Sequence, residues 1–484
     1  MSDLEFSTPE NLFPGIDGWE PYIAVDSNDN LIAFTTAIYY APNNYTDPII
    51  YRVSMDHGAS WFDEQSVFAD GVTFQADPVV FIDENDILHF TMMLGWNIFY
   101  TQAPSMSSST NGKLMWSNPV GISGNDDHAD KNWIVGDPTG TSLFVTFNKA
   151  SPYATVSNDG GMTWSDPVML VDDNSRYYYS SGAVYLPGGS ILQSIDGVYE
   201  YNVTGEMTGP EEPSIANDPF LQVIFRVFKT NLNNQTWSNV ISDTSTQVYQ
   251  NCPAWANCSH PTDFLIPSSS MASSFNTIYL AHTGNYDNVT HASIFLIKSV
   301  DNGSSWSDAI PLNWPHSTNN TYSAFPFIAC DADNEDLVHV AWMDNRTGMW
   351  NLFYRYSSNG GASWTDEVKL NQDLGYSFQN DQGFEFPYGD YGRACVDSQH
   401  NLHLIYGEGT AWYGTGASFY VRQGAIDDSS SSSSDGLSKS DIGAIAGSLG
   451  ALVLISAAFG LWWVKRGNNA PSSKEALLET NQVA

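Results

Sequence analysis

Short apolar runs with alternating polar positions recur through residues 1–425, and Gly, Asn, Asp or Pro bounds most of them. This period-two pattern predicts strands rather than helices. One element consists of an apolar run that ends near a turn and is followed by a second apolar run. Its copies start near Pro21, Pro78, Trp133, Ala183, Phe264, Phe327 and Ala394. The pattern therefore predicts seven repeated pairs of strands.

A second motif, Ser-x-Asp-x-Gly-x-x-Trp, follows many of these pairs. Its carboxylate suits the N–H groups of a hairpin turn, Gly supplies a positive φ, and Trp anchors the returning strand. Four copies, the last with Asn for Asp, comprise Ser54, Asp56, Gly58, Trp61; Ser157, Asp159, Gly161, Trp164; Ser299, Asp301, Gly303, Trp306; and Ser357, Asn359, Gly361, Trp364. Degraded copies end at Trp116 and Trp237. A spacing of roughly 48 to 73 residues between successive Trp suits one propeller blade.

The two repeats differ in number, and this difference predicts how the ring closes. The chain has six copies of the Ser-x-Asp-x-Gly-x-x-Trp motif, here called boxes, but seven inner strand pairs. One blade is therefore left without a fourth strand. Residues 4–13 have a residue pattern similar to that of the segment after each box, and they are predicted to form a fourth strand without a blade of its own. Joining the two protects sheet edges and closes a seven-bladed ring. The alternative is six blades, with residues around 183–240 forming an elaborated blade or an insertion.

The repeated motif resembles the Asp-box, or bacterial neuraminidase repeat, of the sialidase superfamily, over roughly residues 4–425. The resemblance implies an all-β, sialidase-like β-propeller, seven-bladed or alternatively six-bladed. It places the boxes between third and fourth strands, far from the ligand mouth. The same box occurs in proteins without glycosidase activity.

A sialidase of this superfamily needs three arginines for the substrate carboxylate, a Tyr–Glu pair and an acid/base Asp. The residues that the resemblance offers for these roles are Arg176, Arg346, Arg393, Tyr391 with Glu385 or Glu408, and Asp130. The Phe/Tyr-Arg-Ile-Pro signature of the family is missing, because the corresponding segment at residues 19–23 reads Trp-Glu-Pro-Tyr-Ile.

Polar and aromatic loops before inner strands, or after second strands, are expected to line the axial mouth. There, sugars would stack on Trp133, Tyr391 or Trp412 and hydrogen-bond to carboxylates. The ligand-binding candidates are Asp130, Lys131, Trp133, Asp344, Arg346, Asp390 and Tyr391. The simpler interpretation is that Asp and Gly make turns.

The composition limits the classes of partner that the chain is expected to bind. With 54 acidic and 17 basic side chains, the formal net charge is −37, which disfavours nucleic acids and anionic membranes. His89, His339 and His403 occupy equivalent places in three blades. Because rotation about the axis separates such places, we expect packing or local hydrogen bonds rather than a metal site. No cofactor motif is present.

The four cysteines form two sets. Cys252 and Cys258, in one Pro- and Trp-containing loop, are predicted to form a disulfide. Cys330 and Cys395 lie in neighbouring inner strands but differ by one residue in the repeat frame, which gives opposite facing. They are predicted to be free, buried thiols.

The composition changes after Arg422. Residues 426–441 form an Asp/Ser-rich stalk. Residues 442–464 lack charge and, at about 1.5 Å per residue, would cross a hydrocarbon core of about 30 Å as a single transmembrane helix. Lys465 and Arg466 begin a short tail, residues 465–484, that belongs on the cytosolic side. Gly443 and Gly447 offer a weak dimerisation motif.

The orientation depends on the N-terminus. We expect a type I glycoprotein with an extracellular or lumenal propeller, whose signal peptide is missing from this sequence. The alternative is a tail-anchored protein with a cytosolic propeller. The sequence thus predicts a membrane-anchored ectodomain that binds carbohydrate or protein. An exo-glycosidase of sialidase type is the second hypothesis, and a structural cell-surface protein the third.

Overall fold

The structure is a computed structural model that describes residues 5–38, 48–68, 74–124, 128–149, 151–170, 177–199, 220–231, 236–241, 248–251, 269–284, 293–313, 323–332, 334–389, 392–410 and 415–424. Side chains are described in these ranges except at residues 177–179, 197–199, 220–251 and 284. No helix among these residues is long and apolar enough to cross a membrane. The predicted membrane segment, residues 442–464, and the predicted Cys252–Cys258 disulfide lie outside the described residues.

Antiparallel strands make up almost all of the regular structure, with one short 3-10 turn at Met106–Ser108. A short first strand, β1, spans Glu10–Asn11. Blade 1 contains β2 (Asp17–Val25), β3 (Leu31–Ile38), β4 (Ile49–Ser54) and β5 (Gln65–Ser66). Blade 2 contains β6 (Gln75–Ile82), β7 (Leu88–Leu94), β8 (Asn97–Ala103) and β9 (Val120–Gly121). Blade 3 contains β10 (Asp130–Gly136), β11 (Leu143–Lys149), β12 (Ser151–Ser157) and β13 (Val168–Met169).

The remaining blades follow the same order from inner to outer strand. Blade 4 contains β14 (Tyr177–Leu186), β15 (Ser190–Tyr199), β16 (Phe220–Asn231), β17 (Thr236–Ile241) and β18 (Val248–Asn251). Blade 5 contains β19 (Ser269–Ser274), β20 (Thr277–Gly284), β21 (Ser293–Ser299) and β22 (Ile310–Pro311). Blade 6 contains β23 (Ser323–Cys330), β24 (Leu337–Asp344), β25 (Asn351–Ser358) and β26 (Val368–Lys369). A ribbon of β27 (Gln379–Asn380) and β28 (Gly383–Phe384) precedes blade 7, which contains β29 (Phe386–Pro387), β30 (Arg393–Val396), β31 (Leu402–Gly409) and β32 (Gly416–Arg422).

The innermost strands form a ring. In the described residues, β2, β6, β10, β14, β19, β23 and β30 each contact the next, and β30 contacts β2. The all-β propeller predicted from the repeats is therefore confirmed, with one sheet for each of the seven inner elements. The region concerned in the six-bladed alternative lies in blade 4. The element predicted near Phe264 has its inner strand at Ser269–Ser274.

The two ends of the propeller close blade 7 together, as predicted. β1 pairs with β32 through Glu10 opposite Tyr420 and Asn11 opposite Phe419. The Phe6 ring packs edge-on against Tyr354 of blade 6 at 5.0 Å. Phe6 thus occupies the position that the box Trp occupies in other blades. This explains why residues 4–13 have a residue pattern similar to that of the segments after the boxes.

Each box forms the hydrogen-bonded turn that its residues predict. In the third blade, the Ser157 hydroxyl donates to Asp159 at 2.8 Å, and the Gly161 N–H donates to the Ser157 hydroxyl at 2.9 Å. The Thr163 N–H donates to Asp159 at 2.8 Å. The Trp164 ring then packs against Tyr100 of blade 2, with ring centroids 5.1 Å apart. The box therefore joins neighbouring blades as well as closing its own hairpin.

Gly161 tests this second role of the box. It has φ +85°, and a Cβ there would overlap the Tyr100 ring, whereas Gly15, at φ +82°, has nothing within 4 Å of an added Cβ. Both alanine variants carry backbone strain of about 1–2 kcal/mol, but only Gly161→Ala adds overpacking of about 1–3 kcal/mol. We therefore expect a larger fall in the free energy of unfolding for Gly161→Ala, measured by urea titration. Equal losses in the two variants would contradict the interblade role.

The equivalent histidines behave as predicted, and the described cysteines do so in part, because they are free but not fully buried. The Nδ1 atoms of His89, His339 and His403 lie 2.8, 2.6 and 2.7 Å from the hydroxyls of Tyr100, Tyr354 and Tyr420, each within its own blade. Cys330 and Cys395 are free and half-buried. Both sets contribute to packing between strands.

Candidate functional site

The mouth is defined here as the face at which the inner strands begin. Because the strands alternate in direction, the turns between second and third strands also lie on this face, and the boxes lie on the opposite one. Five inner strands carry a bulge near their start, where the register with the second strand shifts. A bulge re-aims the side chain at that position, so these positions shape the mouth.

Three bulge residues from blades 1, 2 and 3 meet at the axis. Glu20, Asp77 and Lys131 have φ values of 55°, 57° and 52°, an uncommon conformation for residues other than glycine. Lys131 Nζ lies 3.3 Å from Glu20 Oε1 and 3.4 Å from Asp77 Oδ1. Their exposed fractions are 2%, 0% and 7% respectively. We call this set the axial triad.

Backbone groups extend the axial triad from blade to blade. The Asp77 N–H donates to Glu20 Oε2 at 2.9 Å, and the Lys131 N–H donates to Asp77 Oδ2 at 3.0 Å. Each carboxylate therefore binds the start of the next inner strand. Burial raises the pKa of Asp77, the nearby Glu20 charge adds to the rise, and Lys131 opposes it. The triad therefore joins the starts of three inner strands and keeps three ionisable side chains buried next to one another.

Glu20 and Asp77 were not predicted from the sequence as residues of the mouth. The detectable signal was the recurrence of a residue before Pro at the start of an inner strand, as in Glu20-Pro21 and Asp77-Pro78. Lys131 was predicted as a ligand contact, but it is buried and paired with both carboxylates.

Trp133 and Arg393, which both belong to inner strands, pack against each other. The Arg393 guanidinium carbon lies 5.2 Å from the centre of the Trp133 ring and 5.8 Å from that of Tyr22. Trp133 is 5% exposed, so the prediction that a sugar stacks on it is wrong for this conformation. Asp130 is half-buried at the start of β10 and remains at the mouth.

Arg346 lies elsewhere, on the outer part of blade 6. Its guanidinium donates to Asp344 at 2.6 Å and to Glu367 at 2.5 Å, and its carbon lies 4.2 Å from the Phe353 ring centre. Phe353 belongs to the third strand of the blade, and Glu367 precedes the fourth. Arg346 therefore does not converge with Arg393, and two carboxylates already neutralise it. Arg176 lies outside the described residues.

The seam between blades 1 and 7 adds a third group to the mouth. Asp17 is half-buried, accepts a hydrogen bond of 2.7 Å from the Gly416 N–H and also hydrogen-bonds Tyr388. Burial raises its pKa to about 6. Trp19, half-exposed, packs edge-on against Tyr388 at 4.7 Å. The sequence analysis did not single out Asp17 or Trp19.

Gly389 packs closely against the axial triad, because a Cβ on Gly389 would lie 2.7 Å from the Glu20 nitrogen. The candidates Asp390 and Tyr391, which follow Gly389 in the sequence, lie outside the described residues. The two candidate glutamates are both described. Glu385 is exposed, whereas Glu408 is 1% exposed and hydrogen-bonds Gln379. Burial raises the pKa of Glu408 to about 8, which favours a neutral, structural carboxyl group at pH 7.

Comparison with protein-family models found no match, and comparison with curated protein sequences found none. Several solved structures resemble the fold. An ulvan lyase, a polysaccharide lyase bound to -[GlcA(1-4)Rha3S]-, has 10% identity and a TM-score of 0.50 over 88% of this chain and 97% of its own. The Penicillium chrysogenum α-L-arabinanase has 11% identity and a TM-score of 0.41 over 86% of this chain and 96% of its own. The Trypanosoma rangeli sialidase has 12% identity and a TM-score of 0.38 over 86% and 58%.

These likenesses concern the fold. The four regular boxes and the ring of antiparallel sheets make the described part of the chain a β-propeller, and the similarity to the lyase concerns this fold. Its activity has to be argued from the mouth itself.

Proposed function

We propose that the propeller binds neutral glycans at its axial mouth, and that it does so as a membrane-anchored ectodomain outside the cytosol. The observation that carries the proposal is the state of the two described candidate arginines. Arg346 is occupied by Asp344 and Glu367, whereas Arg393 lies against aromatic rings near the axis. A sialic acid carboxylate needs converging guanidinium groups, and these two groups are engaged at separate places.

The other groups of the mouth suit a neutral sugar. Asp130 and Asp17 present carboxyl groups at the strand starts, and Trp19 presents an indole that is half-exposed. Carboxylates accept hydrogen bonds from hydroxyls, and aromatic faces bind the C–H faces of sugars. The net charge of −37 would repel anionic ligands at long range. Neutral oligosaccharides therefore fit the mouth better than sialylated ones.

An exo-glycosidase is the second candidate, and Asp17 is the observation that favours it. A half-buried carboxyl with its pKa raised to about 6 is suited to proton transfer near neutral pH. In that case Asp17→Asn would lose turnover and retain binding.

The full-length protein should bind an array of neutral cello-, xylo-, arabino- or galacto-oligosaccharides and release no sialic acid from a fluorogenic sialoside. Arg393→Ala, Arg346→Ala and Arg176→Ala separate the hypotheses, with Arg52→Ala as a control on the outer surface, where Arg52 pairs with Glu64 at 3.6 Å. Sialoside turnover that disappears in the three candidate-arginine variants and persists in the control would assign those arginines to the substrate carboxylate and overturn the proposal.

A further inference from the structure

Three rings lie together on the mouth face beside the axial opening, at the seam between blades 2 and 3. Phe74 precedes β6, Trp96 lies between β7 and β8, and His128 precedes β10. The Trp96 ring centre is 6.4 Å from that of Phe74 and 6.2 Å from that of His128, with interplanar angles of 39° and 33°. The three rings therefore form one aromatic cluster, here called the seam platform.

Backbone hydrogen bonds hold the seam platform in place. The Gly95 N–H donates to the Phe74 carbonyl at 2.8 Å, and the N–H groups of His128 and Ala129 donate to the Trp96 carbonyl at 2.9 and 2.8 Å. His128 has φ 112°, a conformation that L residues rarely adopt. These bonds fix the three ring-bearing residues to one another, so little ordering of these residues would be needed on binding.

The platform is also accessible. Phe74 is 36% exposed, Trp96 is half-exposed and His128 is exposed. Exposed apolar side chains that adjoin one another are more typical of a binding site than single exposed residues, which are common on protein surfaces. Asp130 follows His128 by two residues and lies at the axial mouth, so the platform and the mouth adjoin along β10.

We propose that the seam platform is a second sugar-binding subsite, which stacks a pyranose ring of an oligosaccharide whose other end occupies the axial mouth. This proposal rests on the proposed function of the mouth. A neutral pyranose fits because its C–H face matches the rings, while its equatorial hydroxyls point outward to water and to Asp130. The acidic surface disfavours an anionic sugar at this position.

The test compares cello-, xylo-, arabino- and galacto-oligosaccharides of two and six units by calorimetry on the full-length protein. The wild-type protein should bind the six-unit form of its preferred sugar more tightly than the two-unit form. In Trp96→Ala, we expect the Kd of the six-unit form to rise about tenfold, with that of the two-unit form unchanged. Trp96→Phe should retain part of the gain. Phe275→Ala is the matched control, because Phe275 is 59% exposed on the opposite face.

The outcomes separate the two proposals. Binding of the six-unit sugar that is unchanged in Trp96→Ala would overturn the platform and leave the mouth standing. An equal loss in Phe275→Ala would show that the effect is not local, and would also overturn the platform. A wild-type protein that binds none of these oligosaccharides would overturn both.

Discussion

A chain that lacks residues 1–13 is expected to lose the stable propeller. The deletion removes β1, exposes the edge of β32, and removes Leu12 and Phe13, both 0% exposed. Loss of each buried side chain costs about 2–5 kcal/mol, against a total stability of about 5–15 kcal/mol for a typical domain. Urea unfolding and size-exclusion chromatography should show a destabilised or aggregated protein.

A shorter deletion supplies the control. Removal of residues 1–4 keeps the pairs between β1 and β32 and should leave the unfolding midpoint unchanged. A synthetic peptide of residues 5–13, added to the deleted protein, should restore part of the lost stability because it can pair with β32. Normal stability of the chain without residues 1–13 would show that closure by β1 is dispensable.

Lys131→Met is expected to lower the free energy of unfolding by about 3–5 kcal/mol at pH 7, because it leaves the buried carboxylates of Glu20 and Asp77 without their cation. Burial already raises the folded-state pKa of Asp77 above its unfolded value, and loss of the lysine, which opposes this rise, raises the pKa of Asp77 further. The folded variant then binds more protons than the unfolded chain at intermediate pH, so the penalty should shrink as the pH falls.

Two further variants isolate the charge effect. Lys113→Met makes the same substitution at an exposed position and should change stability by less than about 0.5 kcal/mol. The double variant Glu20→Gln with Lys131→Met should be more stable than Lys131→Met alone, since it removes one uncompensated charge. A pH-independent loss in Lys131→Met would assign its role to packing.

The sequence predicted the features that depend on local chemistry. The box turns, the closure of the ring by residues 4–13 and the local histidine bonds follow from short motifs and their repetition. The distance of each side chain from the propeller axis was harder to predict. Rotation about the axis does separate equivalent second-strand histidines, but bulge residues point to the axis, where the strands are close, so Glu20, Asp77 and Lys131 meet.

The same limit applies to the candidate site. Arg346 and Arg393 were both assigned to the mouth face from topology, but their side chains reach different distances from the axis. Trp133 was assigned as a stacking ring from its residue type, although a neighbouring guanidinium covers it. The rings of the seam platform come from three loops far apart in the sequence, so no single motif marked them.

The pairing of β32 also determines how the ring responds to force. β32 lies between β31 and β1 and is antiparallel to both. Antiparallel hydrogen bonds run perpendicular to the strands. Tension applied at the C-terminal end of β32, along its axis, would therefore load both ladders together in shear instead of unzipping one bond at a time. The closing blade is consequently arranged as a mechanical clamp at the point where the chain leaves the propeller.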